Sequence, residues 1–168
     1  MTQLYANPYD QSANGFYFED ADEYFEFSRK LRNRYGDRVE EFELDFVNGE
    51  HIDAELAKAW GLNQCNFSFF FEACDTWEEH EKQRFIIAVG ECGYSFDADA
   101  VQPDDFEVDI YEVDSMRELA EQFVDEGLFG NIPEHLTNYI DYDAIAGDLN
   151  FDYSETIIAG QALIYRCA

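Results

Sequence analysis

The sequence predicts an α+β fold: an elongated chain of two to three small domains, built from short strands and helices with acidic outer faces. Three observations carry this expectation. Hydrophobic residues make up 46% of the 168-residue chain and aromatics 17%, enough apolar surface to bury a core. Apolar spacing alternates in some segments and recurs at three to four residues in others, so strands and helices are interspersed. Finally, 38 Asp and Glu face 10 Lys and Arg, a net charge of −28, and the acids are interleaved with aromatics from Asp10 to Glu155 instead of forming a tail.

Residues 4–8 read as an opening strand and Asn14-Gly15 as a turn. Asp20 or Asp22 is placed to N-cap a helix to about residue 35, with Tyr24, Phe27, Leu31 and Tyr35 on one face. That helix carries Arg29, Lys30, Arg32 and Arg34. Residues 39–47 alternate, with Phe42, Leu44 and Phe46 on one face. Asn48-Gly49 closes this strand, and residues 53–60 and 66–74 follow a helical pattern. The run Phe67-Ser68-Phe69-Phe70-Phe71 reads as core first and interface second. Thr76 with Glu79 has capping-box spacing.

Residues 106–113 alternate again, with Phe106, Val108 and Ile110 together. Ser115 and Glu118 form a capping box for a helix ending at Gly127, with Met116, Leu119, Ala120, Phe123 and Val124 as its apolar stripe. Pro133 suits the first turn of a helix to about residue 140. Asp141 or Asp143 is placed to cap a last helix to Leu149, and residues 157–165 are β-prone. These elements group into an N-terminal α+β domain (1–61), a mainly helical middle domain (62–103) and a C-terminal α+β domain (104–168).

The aromatic content argues against disorder. A net charge of this sign repels DNA and RNA, so neither is expected as a direct partner, while basic grooves attract it. On the scale of two charges per base pair, −28 corresponds to roughly 14 base pairs of B-DNA. An acidic housekeeping protein adapted to high salt is the bland alternative. The cysteines Cys65, Cys74, Cys92 and Cys167 lack CxxC spacing, which disfavours zinc and is read as four reduced thiols in a cytoplasmic protein. No basic leader opens the chain and no apolar run reaches 18 residues. Phosphate-loop, dinucleotide and zinc-protease motifs are absent, and His51, His80 and His135 stand alone in sequence. Catalytic, cofactor-binding and metal-binding residues are therefore expected to be none, and the chain is not expected to be an enzyme.

The carboxylate rows are more informative. On a strand, Glu41, Glu43 and Asp45 recur about every 6.6–6.8 Å, as do Asp105, Glu107 and Asp109. On the helix, Glu118, Glu121 and Asp125 rise by roughly 4.5 and 6 Å. Phosphates along a DNA strand follow a comparable pitch. A basic groove shaped for phosphates finds partners along such rows, so these nine residues are the expected polyanion-like surface.

Residues 131–149 add a resemblance. The stretch Ile-Pro-Glu-His-Leu-Thr-Asn-Tyr-Ile-Asp-Tyr-Asp-Ala-Ile-Ala-Gly-Asp-Leu is similar to the C-terminal segment of the ArdA antirestriction family, with Asn138, Tyr139, Ile140, Asp141, Tyr142, Asp148 and Leu149 matching its motif. The strand and acidic helix over 109–127 also look like the family, as do Tyr5 and Gly15 near the start. Phe18-Glu19-Asp20-Ala21 stands where ArdA proteins often carry a Trp-Ile-Asp-Ala-like stretch. The resemblance implies a three-domain, elongated homodimer that imitates bent DNA and occupies the DNA-binding groove of type I restriction–modification enzymes in the bacterial cytoplasm. It implies spread by mobile genetic elements, no catalytic residues and no cofactor, and it places the motif residues in the dimer region. A CRISPR–Cas effector or another DNA-binding protein remains an alternative target.

Overall fold

The alternation at the N-terminus builds the first sheet. In the computed structural model, which describes residues 1–168, β1 (Gln3–Pro8) lies between β2 (Phe16–Phe18) and β3 (Phe42–Asn48), antiparallel to both. Leu4, Ala6 and Pro8 point inward from β1, opposite Phe18 or Phe46, Leu44 and Phe42. Period-two patterning fixes this register, since a one-residue slip would send every apolar side chain to solvent. The three-residue β2 is an element the sequence pattern did not reveal.

Helix α1 (Ala21–Lys30) starts where expected: the Asp20 carboxylate accepts from the Glu23 backbone N–H at 2.8 Å. It ends five residues before the expected Tyr35. Leu31 is extended, and Arg32 turns back to donate to the carbonyls of Arg29 and Leu31. Asn33 then organises the following loop, its side-chain carbonyl accepting from the N–H groups of Tyr35 and Asp37. Such local side-chain bonds compete with helix propagation, and Tyr35 is left exposed.

Helices α2 (His51–Trp60), α3 (Phe67–Thr76) and α4 (Glu79–Phe85) follow, and α4 continues as a π-helical turn over Ile86–Glu91. Gly61 ends α2 in the left-handed conformation, with φ 63°. The expected Thr76 cap is replaced. Thr76 is the last residue of α3 and donates its hydroxyl to the Glu72 carbonyl, while Glu78 caps α4 in a reciprocal box with Glu81. Of the aromatic run, Phe67 and Phe70 are fully buried. Phe67 packs on Tyr24 and Phe18, and Phe70 on Trp60, so the run serves as core. Inside this core, the Lys82 ammonium lies 2.7 Å from the Asp53 carboxylate and 2.9 Å from the Cys74 carbonyl.

Residues 1–106 form one compact unit and 107–168 a second. Residues on both sides of the expected 61/62 boundary share the first unit's aromatic core, through Trp60, Phe70 and Phe85.

The second unit pairs β4 (Val108–Tyr111), β6 (Gln161–Cys167) and β5 (Ser154–Ile158) in the order β4-β6-β5, all antiparallel. The expected terminal strand is a hairpin, because Ala159 and Gly160 both take positive φ, 50° and 86°. That is the backbone of a two-residue turn matched to strand twist. Helices α5 (Met116–Asp125) and α6 (Tyr142–Leu149) cover the sheet. Met116, Leu119, Ala120 and Phe123 of α5 pack with Ala146, Tyr153 and Ile164. Full burial of a side chain such as Leu119 or Phe123 contributes about 1.5–3 kcal/mol. The expected helix after Pro133 is a 3-10 segment, Glu134–Tyr139, with no buried residue to pull it into a longer α-helix.

The expected reduced state holds for Cys65 and Cys74, which are free thiols. It is corrected for Cys92 and Cys167, which are in the disulfide state; neither compartment nor the absence of CxxC spacing determines the oxidation state of an individual cysteine.

Candidate polyanionic interaction surface

Strand β3 positions the first row. Phe42 and Leu44 turn into the core, so Glu43 and Asp45 turn outward, and Glu41 precedes them on the same side. All three are exposed, and none forms an ion pair. Their alternation places a carboxylate about every 6.6–6.8 Å.

The second expected row is not a strand along its length. Asp105 ends a 3-10 turn, Pro103–Asp105, and its carboxylate accepts from the Gln102 N–H at 3.0 Å. Glu107 precedes β4, and only Asp109 lies within it. Asp109 is also neutralised: Arg166, opposite it on β6, donates to Oδ2 at 2.6 and 3.0 Å. Pro103 initiates the turn that breaks the alternation.

Helix α5 carries the third row. Ser115 Oγ accepts from the Glu118 N–H, and the Glu118 carboxylate accepts from the Asp114 N–H at 2.7 Å, which orients Glu118 at the helix start. Glu121 is held by Arg117 at 3.1 Å, and the same guanidinium reaches Asp143 of α6 at 2.6 Å. These two acceptors raise the Arg117 pKa, Asp143 most strongly. Asp125 is exposed and forms no ion pair. Sequence reasoning missed the neighbours of this row. Glu112, Asp114 and Glu126 join Glu118 and Asp125 around a shallow depression of about 570 Å³, with no Lys or Arg among its walls. Glu126, one residue beyond α5, and Asp114, one before its cap, were recoverable from the capping-box pattern.

The C-terminal motif residues divide by role. Asp141 caps α6 by accepting from the Ala144 N–H at 3.0 Å. Tyr142 and Leu149 pack on the core of the second unit. Asn138, Tyr139 and Asp148 are exposed and Ile140 is half-buried. Tyr139 is 83% exposed and shares its segment with exposed Leu128, Phe129 and Leu136.

His51, His80 and His135 are exposed. The half-buried Cys74 thiol is pushed well up by burial and by the nearby Asp53 charge, which disfavours the thiolate. No group of three His, Cys, Asp or Glu is placed to hold a metal ion. No helix is long and apolar enough to cross a membrane.

With this geometry in place, comparison with protein families is decisive. The profile of the ArdA antirestriction proteins matches residues 16–161. The chain belongs to the ArdA antirestriction family. The match runs from β2 into the first residue of β6, so both units lie within the family and the resemblance is not confined to the C-terminal motif. ArdA proteins are antirestriction inhibitors, and restriction enzymes are the partners this membership implies. Comparison with curated proteins finds no match.

Proposed function

We propose that this ArdA family member inhibits type I restriction–modification enzymes as a DNA mimic, occupying the enzyme's DNA-binding groove in the host bacterial cytoplasm. The observation that carries the reading is the state of the carboxylates. Glu41, Glu43 and Asp45 on β3, and Glu118 and Asp125 on α5, are exposed on ordered elements and unneutralised by any cation of the chain. Asp105, Glu107 and Asp109 extend the acidic surface, although Asp109 shares its charge with Arg166, and Glu121 shares its charge with Arg117.

A fixed polyanion draws on the electrostatics that bring DNA to a basic groove. It also avoids the deformation cost of a bent duplex, of order 1–6 kcal/mol. Two copies of the chain act as a homodimer in this reading. The exposed Leu128, Phe129, Leu136 and Tyr139 supply an apolar surface beside the matched motif for self-association.

A DNA-cleavage assay with a purified type I enzyme tests the proposal, run with competitor duplex and alongside a size measurement. Inhibition that yields to excess duplex and weakens steeply between roughly 50 and 200 mM salt is expected. Inhibition unchanged across that range, or indifferent to competing duplex, refutes mimicry. The triple substitution E41Q/E43Q/D45N is expected to weaken inhibition more than any of its single components, because a distributed field has no single indispensable charge.

A further inference from the structure

The first unit contains a cleft of about 400 Å³ that the carboxylate rows do not use. Its walls include Trp60, Trp77 and Phe69, with Glu72, Glu81 and Asp99 among the remaining residues and no Lys or Arg. The two indoles have centroids 5.7 Å apart and tilt by 55° to one another. They are the only tryptophans of the chain. Trp60 is 3% exposed, and its Nε1–H is the one buried side-chain polar group without a hydrogen-bond partner. Buried indole N–H groups are ordinarily paired; the aromatic faces open to the cleft are those of the half-buried Trp77 and Phe69.

The chain itself shows what combination of groups fits such walls. Arg166 lies between the Asp109 carboxylate, at 2.6 Å, and the face of Tyr153, at 5.2 Å from its centroid. Arg117 is likewise shared between Asp143, at 2.6 Å, and the face of Tyr142, at 5.8 Å. In both places a guanidinium is held by a carboxylate and an aromatic ring of this protein. The cleft presents the same two kinds of group, aromatic faces and carboxylates, without a guanidinium of its own.

We propose that this cleft is a receptor for one arginine side chain projecting from the DNA-binding surface of the target enzyme. A guanidinium stacks on indole faces and is weakly hydrated, which suits it to an aromatic-walled site better than an ammonium. Glu72, Glu81 and Asp99 supply the countercharge. Glu81 keeps one oxygen on the Glu78 N–H, which fixes its position beside the cleft. This site rests on the proposed occupation of a basic groove. It adds to it a specific anchor, where the surface rows supply only a field.

Tryptophan fluorescence of the full chain reads the cleft directly. Titration with N-acetyl-arginine amide is expected to give a saturable change, and the neutral isostere N-acetyl-citrulline amide none. The double variant E72Q/D99N, which leaves β3 and α5 untouched, is expected to weaken the arginine probe at least tenfold. It is also expected to weaken binding to a type I enzyme at least fivefold, while circular dichroism stays as in the parent. No saturable response to the arginine probe, or an equal response to citrulline, overturns the site. Parent-like enzyme binding by the double variant overturns its role as an anchor even if the probe binds. Failure of the parent protein to compete with DNA is a different result: it refutes groove occupation and leaves the fluorescence arm to decide whether the cleft takes arginine.

Discussion

Replacing Lys82 with methionine should be among the most destabilising single changes available in the first unit. The side chains of Lys82 and Asp53 are only 5% and 4% exposed, and they meet at 2.7 Å. Lys82 also donates to the Cys74 carbonyl at 2.9 Å, while Thr2 Oγ1 donates to the other Asp53 oxygen at 3.2 Å. Methionine preserves most of the volume but removes the cation, leaving the Asp53 charge with only the neutral Thr2 hydroxyl and Cys74 thiol as side-chain partners and the Cys74 carbonyl without its ammonium. Breaking a buried pair from one side costs about 3–5 kcal/mol, because a desolvated charge is left uncompensated. With an m-value of about 1–3 kcal/mol/M, the urea midpoint should fall by more than about 1 M. Trp60 and Trp77 both lie in the first unit, so fluorescence-monitored urea unfolding reports the unit concerned. The double variant D53L/K82M removes both charges together and should recover most of the loss, since an apolar pair of similar volume is often as stable as the ionic one. A midpoint shift below roughly 0.3 M for K82M, or a double variant as unstable as the sum of its singles, would show that the pair is solvated in solution and does not lock α2 to α4.

Three further predictions address backbone, thiols and pH. Gly15→Ala should destabilise the first unit by about 1–3 kcal/mol in the same urea experiment, because the added Cβ would lie 2.4 Å from the Ala6 carbonyl oxygen and from the Tyr5 hydroxyl. A maleimide reagent should modify the exposed Cys65 quickly and the half-buried, high-pKa Cys74 only on unfolding, and equal rates read by mass spectrometry would contradict the packing described. The Asp10 carboxylate accepts from the Ser12 hydroxyl at 2.7 Å, from Asn33 at 2.9 Å and from the Ser12 N–H at 2.9 Å, bonds that lower its pKa below 3.8. A depressed folded value means that the stability it contributes is present above pH 3.8 and is lost as pH falls through the lower folded value. Acid unfolding of Asp10→Asn should therefore differ from the parent above that window and converge with it below; parallel curves throughout would refute the linkage.

What the sequence disclosed and what it hid follow from the range of the interactions involved. The strand alternation of Phe42 and Leu44, the Ser115 cap and the Asp141 cap are all settled within a few residues, and each stands where pattern reasoning put it. Even there, local competition escaped: nothing in the stripe Tyr24, Phe27, Leu31, Tyr35 showed that Asn33 would capture two backbone N–H groups and stop α1 early. The rows on β3 and α5 were legible as rows, while the one over Asp105, Glu107 and Asp109 was broken by the Pro103 turn, and none was legible as charges. Whether a carboxylate stays available depends on cations distant in sequence, and Arg166 reaches Asp109 across 57 positions while Arg117 reaches Asp143 across 26. Those two pairings decide which carboxylates remain open to a basic groove. They leave Glu41, Glu43, Asp45, Glu118 and Asp125 without an ion pair and take up Asp109 and Asp143, two acids that a count of 38 treats as equivalent to the rest. The tryptophan cleft was hidden for the same reason, since its walls come from α2, α3, α4 and the turn near Asp99. In a chain this acidic, composition is therefore a poor guide to contact. In the proposed reading, the surface open to a basic groove is what remains after the chain's cations have taken their partners, and only the fold determines that remainder.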